Sequence, residues 1–148
     1  MRILDQIADL ESEAQLLALE GALNALDNAP DAGACIPSLL AVFERFPWSD
    51  GYGLCWSILH AIERLAAYEP LLVASVRRAP GQFNLMMVNN LLNSGVSDAY
   101  RVSLLGLLGE VARNQRYSPQ ARHVAHEYSQ HQHKKNAAGQ EAEPEGTS

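Results

Sequence analysis

The sequence predicts an all-α fold in which about eight short antiparallel helices stack as helical hairpins. Hydrophobic residues make up 47% of the chain, and Leu and Ala dominate them, whereas runs of Val, Ile and Thr are scarce. This composition favours helix over strand. Apolar residues also recur at helical spacing in short segments separated by Pro, Gly, Ser and Asp, which is typical of short helices joined by short connections.

The length of 148 residues suits one domain with a complete hydrophobic core. We assign residues 1–130 to a single all-helical domain and the mostly polar residues 131–148 to a disordered tail. No strict repeat motif recurs, but the helix lengths and connections are similar to those of the helical-repeat class that includes HEAT and armadillo units. A closed irregular bundle is the structural alternative.

The N-terminal third is predicted to contain two helical segments. Residues 2–10 place their apolar side chains on one helical face. Ser12 and Gln15 resemble a capping box that starts a second helix, which runs to about Leu26. One continuous helix through both segments fits the sequence equally well. Residues 27–34 form a loop by composition.

An aromatic turn separates the next two predicted helices. Pro37 fits the first turn of a helix that ends before Pro47. The segment P-W-S-D-G-Y-G follows, and either Ser49 or Asp50 can cap a helix from about Tyr52 to Ala67.

The second half of the chain predicts four more helices. They are expected at Glu69–Arg78, at about Gly81–Asn93, from Ser97 or Asp98 to Arg113, and from Ser118-Pro119 onward. The expected core includes Trp56 and Leu105, and replacing either with Ala is expected to cost about 3–5 kcal/mol of stability.

Negative charge is concentrated in the first third of the chain. Residues 1–50 hold nine acidic and two basic residues, a net charge of −7, whereas the rest of the chain holds eight acidic and nine basic residues. An acidic surface repels nucleic acids and anionic membranes and attracts basic proteins. We therefore expect neither nucleic acid nor membrane as a partner. The alternative is that these acids belong to ordinary solvated helix faces.

Nothing in the sequence predicts catalysis or a cofactor. Nucleophile-elbow, P-loop and dinucleotide motifs are absent, and we expect Cys35 and Cys55 to be small buried hydrophobes. His60 and Glu63 share a helix face, but one such pair is too little for a metal site. The C-terminal histidines lack supporting ligands at fixed spacing. We expect no enzyme activity, no metal and no cofactor.

The sequence also predicts a soluble, cytosolic protein. The N-terminal segment M-R-I-L-D-Q-I-A-D-L-E alternates charged and apolar residues, unlike the apolar core of a signal peptide. No stretch approaches the ~20 apolar residues of a membrane span.

Two groups of polar and aromatic residues are candidates for contacts. Trp48, Asp50 and Tyr52 lie in a turn, where exposed Trp and Tyr are typical of interface anchors; alternatively, Trp48 folds back onto the core and Asp50 caps a helix. Asn89, Asn90 and Asn93 are poor helix formers, which indicates polar contacts that are either internal or external.

The string D-G-Y-G-L-C-W-S-I-L-H-A-I-E, followed by Y-E-P-L-L-V-A-S-V-R-R-A-P and N-N-L-L-N, resembles small helical immunity proteins. These are encoded in bacteria beside polymorphic toxins, including those delivered by contact-dependent and type VI secretion systems. The resemblance covers roughly residues 43–95 and implies a protein that binds one cognate toxin domain and blocks its active site or its access to substrate.

Many toxins of this kind attack nucleic acids or nucleotides and carry basic surfaces, which an acidic inhibitor would complement. On this reading, Trp48, Asp50, Tyr52 and Glu63 form the binding surface, and Glu13 and Glu20 support it. We expect a monomer in a 1:1 complex. The alternatives are a helical-repeat scaffold or adaptor with an endogenous protein partner and, as a third reading, an enzyme or metal protein that uses the histidines and Glu63.

Overall fold

The computed structural model describes the backbone of residues 2–26 and 29–142 and the side chains of residues 4–26 and 29–138. All regular secondary structure in these ranges is helical, which confirms the all-α prediction. The helices are α1 (Arg2–Asp5), α2 (Glu13–Leu26), a 3₁₀ helix (Ala32–Cys35), α3 (Ile36–Arg45), α4 (Leu54–Glu63), α5 (Glu69–Arg78), α6 (Gln82–Asn93), α7 (Asp98–Arg113) and α8 (Pro119–Ala142).

The chain between α1 and α2 is held by the Gln15 side chain. Gln15 Oε1 accepts hydrogen bonds from the backbone N–H groups of Ala8 at 2.6 Å and Asp9 at 3.0 Å. Ser12 Oγ accepts from the Gln15 N–H at 3.4 Å. The two segments are therefore separate helices, and Gln15 bonds to the preceding turn rather than back to Ser12 as in a regular capping box. Residues 27–28 of the predicted loop lie outside the described residues, and part of the remainder forms the 3₁₀ helix.

Side-chain caps fix the beginnings of two helices where the sequence predicts them. Ser97 Oγ accepts a hydrogen bond from the Tyr100 N–H at 3.3 Å at the start of α7. Ser118 Oγ accepts from the Ala121 N–H at 3.1 Å at the start of α8. These bonds satisfy N–H groups that have no partner within the helix. The predicted bounds of α5 and α7 are confirmed.

Helix α4 is shorter than the sequence predicts. It begins at Leu54 because the preceding residues Gly51, Tyr52 and Gly53 all have positive φ angles, which an α-helix cannot contain. It ends at Glu63, and Ala67 beyond it also has a positive φ of 61°. The predicted bounds at Tyr52 and Ala67 are therefore wrong.

The described residues group into two compact units, one within Met1–Met87 and the other within Val88–Ser148. In the first unit, α1 packs against α2 and α3, α2 against α4, and α3 against α4 and α5. Arg45 on α3 secures the end of α1, because its guanidinium donates hydrogen bonds to the carbonyl oxygens of Leu4 at 2.6 Å and Ile7 at 3.2 Å.

An aromatic group lies in the core of the first unit. The rings of Phe43 and Phe83 stack with centroids 5.3 Å apart, and Trp56 meets Phe83 edge to face at 5.2 Å. Trp56 nevertheless remains 42% exposed, and Leu105 on α7 is only partly buried. The prediction that both are core residues is wrong. The buried side of α4 consists of Cys55, Ile58, Leu59, Ala61 and Ile62, which leaves Trp56 at the margin, and the buried side of α7 consists of Leu104, Leu107, Leu108 and Val111, which leaves Leu105 beside it.

In the second unit, α7 packs against α8 through small and branched apolar residues. The buried apolar residues on the two helices are Leu104, Leu107, Leu108, Val111, Ala121 and Ala125. Helix α8 then continues to Ala142, past residue 131, where we predict that order ends. Within the predicted tail, Gln132 is buried and hydrogen-bonded. The remaining tail residues, 143–148, lie outside the described residues.

Candidate protein-binding surface

The turn between α3 and α4 has an unusual backbone conformation. Three successive residues, Gly51, Tyr52 and Gly53, have φ angles of 56°, 53° and 92°. Glycine adopts such angles readily, whereas a bulky aromatic residue does so only where the surroundings impose it. The two glycines thus allow the chain to turn sharply, and Tyr52 lies strained at its tip.

Backbone and side-chain hydrogen bonds hold this turn in place. The Asp50 carbonyl accepts from the N–H groups of Gly53 and Cys55, each at 3.0 Å. The Asp50 carboxylate accepts from the Tyr52 N–H at 3.1 Å. The first residue of α6 anchors the other end of the turn, because the Gln82 N–H donates to the Pro47 carbonyl at 2.8 Å. The turn is therefore a fixed element that joins α3, α4 and α6.

Tyr52 extends from this turn into solvent while its hydroxyl is held. The side chain is 73% exposed, the largest exposure among the large hydrophobic residues described. Its hydroxyl donates a 2.7 Å hydrogen bond to Glu11 Oε2. This hydrogen bond and then the negative charge of Glu11 raise the pKa of Tyr52 above its ordinary value. Glu11 and Tyr52 thus join the chain before α2 to the aromatic turn.

An open depression of about 410 Å³ lies beside the turn. Its lining consists of Glu11, Trp48, Ser49, Asp50 and Gln82. Trp48 is partly buried and Asp50 is exposed. The prediction that Ser49 or Asp50 caps α4 is wrong, because the N-cap residue is Gly53 and no side chain accepts a capping hydrogen bond there. The turn therefore presents aromatic and acidic groups to solvent.

Two further residues extend this surface along α4. Trp56 and His60 are exposed and four residues apart on α4, and this spacing puts them on one side of the helix. His60 Nδ1 lies 3.9 Å from Glu63 Oε1. We call the surface formed by Glu11, Trp48, Asp50, Tyr52 and Trp56 the aromatic-acidic surface.

The structure brings together some of the predicted site residues and separates others. Trp48, Asp50 and Tyr52 lie in one turn, as predicted. Glu63 lies at the opposite end of α4, roughly 14 Å along the helix axis from its first residue. Glu13 and Glu20 are both exposed on α2, roughly 10 Å apart along its axis.

Two members of this surface, Glu11 and Trp56, are not among the residues that the sequence predicts for it. The sequence places Trp56 in the core instead, and spacing from Tyr52 gives no helical signal, because Tyr52 lies before α4 with a positive φ. No local pattern marks Glu11, because its contact with Tyr52 joins residues 41 positions apart.

The asparagines of α6 have an internal role. In the second unit, the Gln132 side-chain amide donates to Asn89 Oδ1 at 2.7 Å and to Asn93 Oδ1 at 2.9 Å. Lys135 Nζ also donates to Asn93 Oδ1, at 2.9 Å. For Asn89 and Asn93, these bonds favour the internal alternative of the two that the sequence leaves open.

Other polar groups of the first unit hydrogen-bond to one another. Glu44 accepts two hydrogen bonds from the Arg78 guanidinium, at 2.8 and 3.0 Å, and a third from Ser75 Oγ at 2.9 Å. Burial, followed by the charge of Asp50, raises the pKa of the buried Cys55 thiol to about 12. Cys55 is therefore protonated and unreactive at neutral pH.

Within the described ranges, no group of three or more His, Cys, Asp or Glu residues could hold a metal ion. A membrane-spanning helix is likewise not found there, since none of the helices in residues 2–26 and 29–142 combines the necessary length and apolarity.

No family model matches the chain, and no curated protein or solved structure does so either. The resemblance to immunity proteins therefore stays a prediction from the sequence.

Proposed function

We propose that this chain is an immunity protein that binds one cognate bacterial toxin domain and neutralises it by covering its active site or its substrate-binding surface. The observation that carries the proposal is the aromatic-acidic surface. There, Tyr52 is 73% exposed on a fixed turn and is hydrogen-bonded to Glu11. Exposed Tyr and Trp on a rigid support are typical anchors of protein interfaces, because they bury a large area at a low cost in entropy.

The charge of the first unit supports a basic partner. Residues 1–87 hold eleven acidic and five basic residues, a net charge of −6, whereas residues 88–148 hold six of each and are neutral. An acidic unit accelerates association with a basic protein and discourages binding to nucleic acid or an anionic membrane. A toxin domain that binds nucleic acids or nucleotides through basic residues fits this requirement.

The packing of the first unit supports an array of helical hairpins. Neighbours along the chain pack together, as α1 does with α2 and α3 with α4. Alternate helices also pack together: α3 contacts both α1 and α5, and α4 contacts α2. We propose that the odd- and even-numbered helices form two layers, as in HEAT-like arrays, so that the connections between helices present the binding residues.

The proposed centre of the interface consists of Trp48, Asp50 and Tyr52, together with Glu11 and Trp56. The exposed residues Glu13 and Glu20, together with Glu63, lie further along their helices and contribute charge at the margin. The protein acts by stoichiometric binding in a 1:1 complex in the cytoplasm. It needs neither a cofactor nor a metal, because inhibition requires only that the toxin surface be covered.

The test is co-expression with the product of the adjacent upstream gene, scored for rescue of growth and for co-purification. We expect the wild-type chain to rescue growth. Trp48→Ala, Asp50→Ala and Tyr52→Ala should weaken binding by about 2 kcal/mol each if they lie at the centre of the interface. Val102→Ala removes an exposed apolar group in the second unit and Asp31→Asn removes an exposed charge in the first, so both serve as controls.

Wild-type affinity in all three turn variants would remove the turn from the interface. Absence of rescue and of co-purification would contradict the immunity function. Capture of an endogenous protein instead, with loss of that interaction in the same variants, would favour the alternative of a helical-repeat adaptor.

A further inference from the structure

The depression beside the aromatic turn has the chemistry of a cation-binding site for a side chain. Glu11 and Asp50 supply carboxylates from two separate segments of the chain, before α2 and before α4. Trp48 supplies an indole ring, and Ser49 and Gln82 supply neutral polar groups. Its volume of about 410 Å³ is sufficient for the end of a long side chain but not for a folded element.

The groups that line the depression distinguish among the side chains of a partner. An anionic side chain would meet two carboxylates of like charge, and an aliphatic one would leave them without a partner. A guanidinium is planar and permanently charged, it donates up to five hydrogen bonds, and it binds both carboxylates and aromatic faces. A lysine ammonium is a more strongly hydrated point charge that lacks the bidentate geometry.

We propose that the depression receives an arginine side chain of the toxin domain, which pairs with Glu11 and Asp50 and lies against Trp48. This inference rests on the proposed function, and it identifies the kind of partner residue that the surface selects. A carboxylate oxygen can accept more than one hydrogen bond, so Glu11 can bind the guanidinium while it accepts the bond from Tyr52.

The site is arranged before any partner arrives. The Gln82 N–H holds the turn through the Pro47 carbonyl at 2.8 Å, and the Tyr52 hydroxyl holds Glu11 at 2.7 Å. Because these groups are already ordered, binding an arginine loses less conformational entropy than ordering a free loop would.

The site can be tested without the toxin. The full-length protein, labelled with ¹⁵N, is titrated with N-acetyl-arginine amide and observed through the indole N–H of Trp48 and the amides of Asp50 and Gly51. The chain has two tryptophans, so Trp56→Phe assigns the Trp48 signal. N-acetyl-citrulline amide has nearly the same shape without the charge, and N-acetyl-lysine amide has the charge without the planar geometry.

We expect saturable shifts with the arginine probe, weaker ones with the lysine probe and none with the citrulline probe. Glu11→Gln and Asp50→Asn should each lower the affinity for the arginine probe by roughly five- to tenfold, as expected for loss of a charge-assisted hydrogen bond. Glu127→Gln and Asp31→Asn make the same chemical changes at exposed positions outside the depression, and they should leave probe binding unchanged. Amide spectra of each variant verify that it is folded.

Equal shifts with the citrulline probe, or equal weakening in the control variants, would overturn the arginine site. The toxin then separates this inference from the proposed function. A toxin that binds the wild-type chain and its Glu11→Gln and Asp50→Asn variants equally well would overturn the arginine site alone. Saturable probe binding without any toxin complex would overturn the immunity function and leave the site in place.

Discussion

The hydroxyl of Tyr52 donates a 2.7 Å hydrogen bond to Glu11 Oε2 and so joins the strained turn before α4 to the segment before α2. The carboxylate raises the pKa of Tyr52 above the ordinary value of 10.0, first through this hydrogen bond and then through its charge. The two residues are 41 positions apart in the sequence, and together they hold one side of the aromatic-acidic surface.

The first prediction concerns the titration of Tyr52. Because the protonated phenol donates the bond, its stabilising effect is present below the ordinary tyrosine pKa and is lost as the pH rises through the raised pKa of the folded protein. Glu11→Gln should lower the pKa of Tyr52, since an amide carries no charge. Tyrosinate absorbance measures this change, with Tyr52→Phe to identify the signal and Glu127→Gln as the control. A Tyr52 pKa unaltered by Glu11→Gln would show that the bond does not form in solution.

The second prediction concerns the close contact of Gly81 with the turn. A Cβ atom on Gly81 would lie 2.6 Å from the Cβ of Pro47 and 2.8 Å from its Cα and carbonyl oxygen. Gly81→Ala should therefore push the turn away from α6 and lower the free energy of unfolding by about 1–3 kcal/mol. Gly106→Ala is the matched control, because a Cβ atom at that position has no neighbour within 4 Å. Since Ala favours helix more than Gly does, this substitution should stabilise α7 by up to about 1 kcal/mol. Urea denaturation measures both, and equal effects would argue against the contact.

The third prediction compares two neighbouring positions on α4. Leu59 is fully buried, so Leu59→Ala should lower the free energy of unfolding by about 2–5 kcal/mol. Trp56 is 42% exposed, and its ring meets the Phe83 ring edge to face with the centroids 5.2 Å apart. Trp56→Ala should therefore cost less, about 1–3 kcal/mol, which revises the value expected from the sequence. Urea denaturation of both variants measures the difference. A larger loss of unfolding free energy for Trp56→Ala than for Leu59→Ala would show that Trp56 is a core residue.

The fourth prediction concerns the end of α8 in the second unit. Gln132 is fully buried, and its amide donates to both Asn89 and Asn93. Gln132→Ala would leave two acceptors without that donor and should cost about 1–3 kcal/mol. It should also speed hydrogen exchange of amides around residues 128–138, measured by mass spectrometry or NMR. Gln130→Ala, at an exposed position two residues earlier, should leave exchange unchanged. Equal exchange in both variants would mean that the amide bonds do not hold the helix.

The sequence alone determined the helical class and many helix bounds. Pro37 near the start of α3, Ser97 before α7 and Ser118 before α8 act through neighbours only a few residues away. Such local signals can be read without the fold, because the helix beginnings they mark depend on the chain's own φ angles and N–H groups. The turn with Trp48, Asp50 and Tyr52 could also be identified, since its Gly and aromatic residues lie together in the chain.

Only the tertiary structure decided which of these residues form one surface. Glu11 joins Tyr52 across 41 positions, and Gln132 joins Asn89 across 43. It also decided that Trp56 remains partly exposed and that α8 continues past residue 131. These features depend on the rotation of each helix about its axis and on partners far away in the sequence. Helical periodicity identifies a buried side only to within about one residue position, or 100° of rotation, so a Trp beside a buried Cys can fall on either side of that boundary.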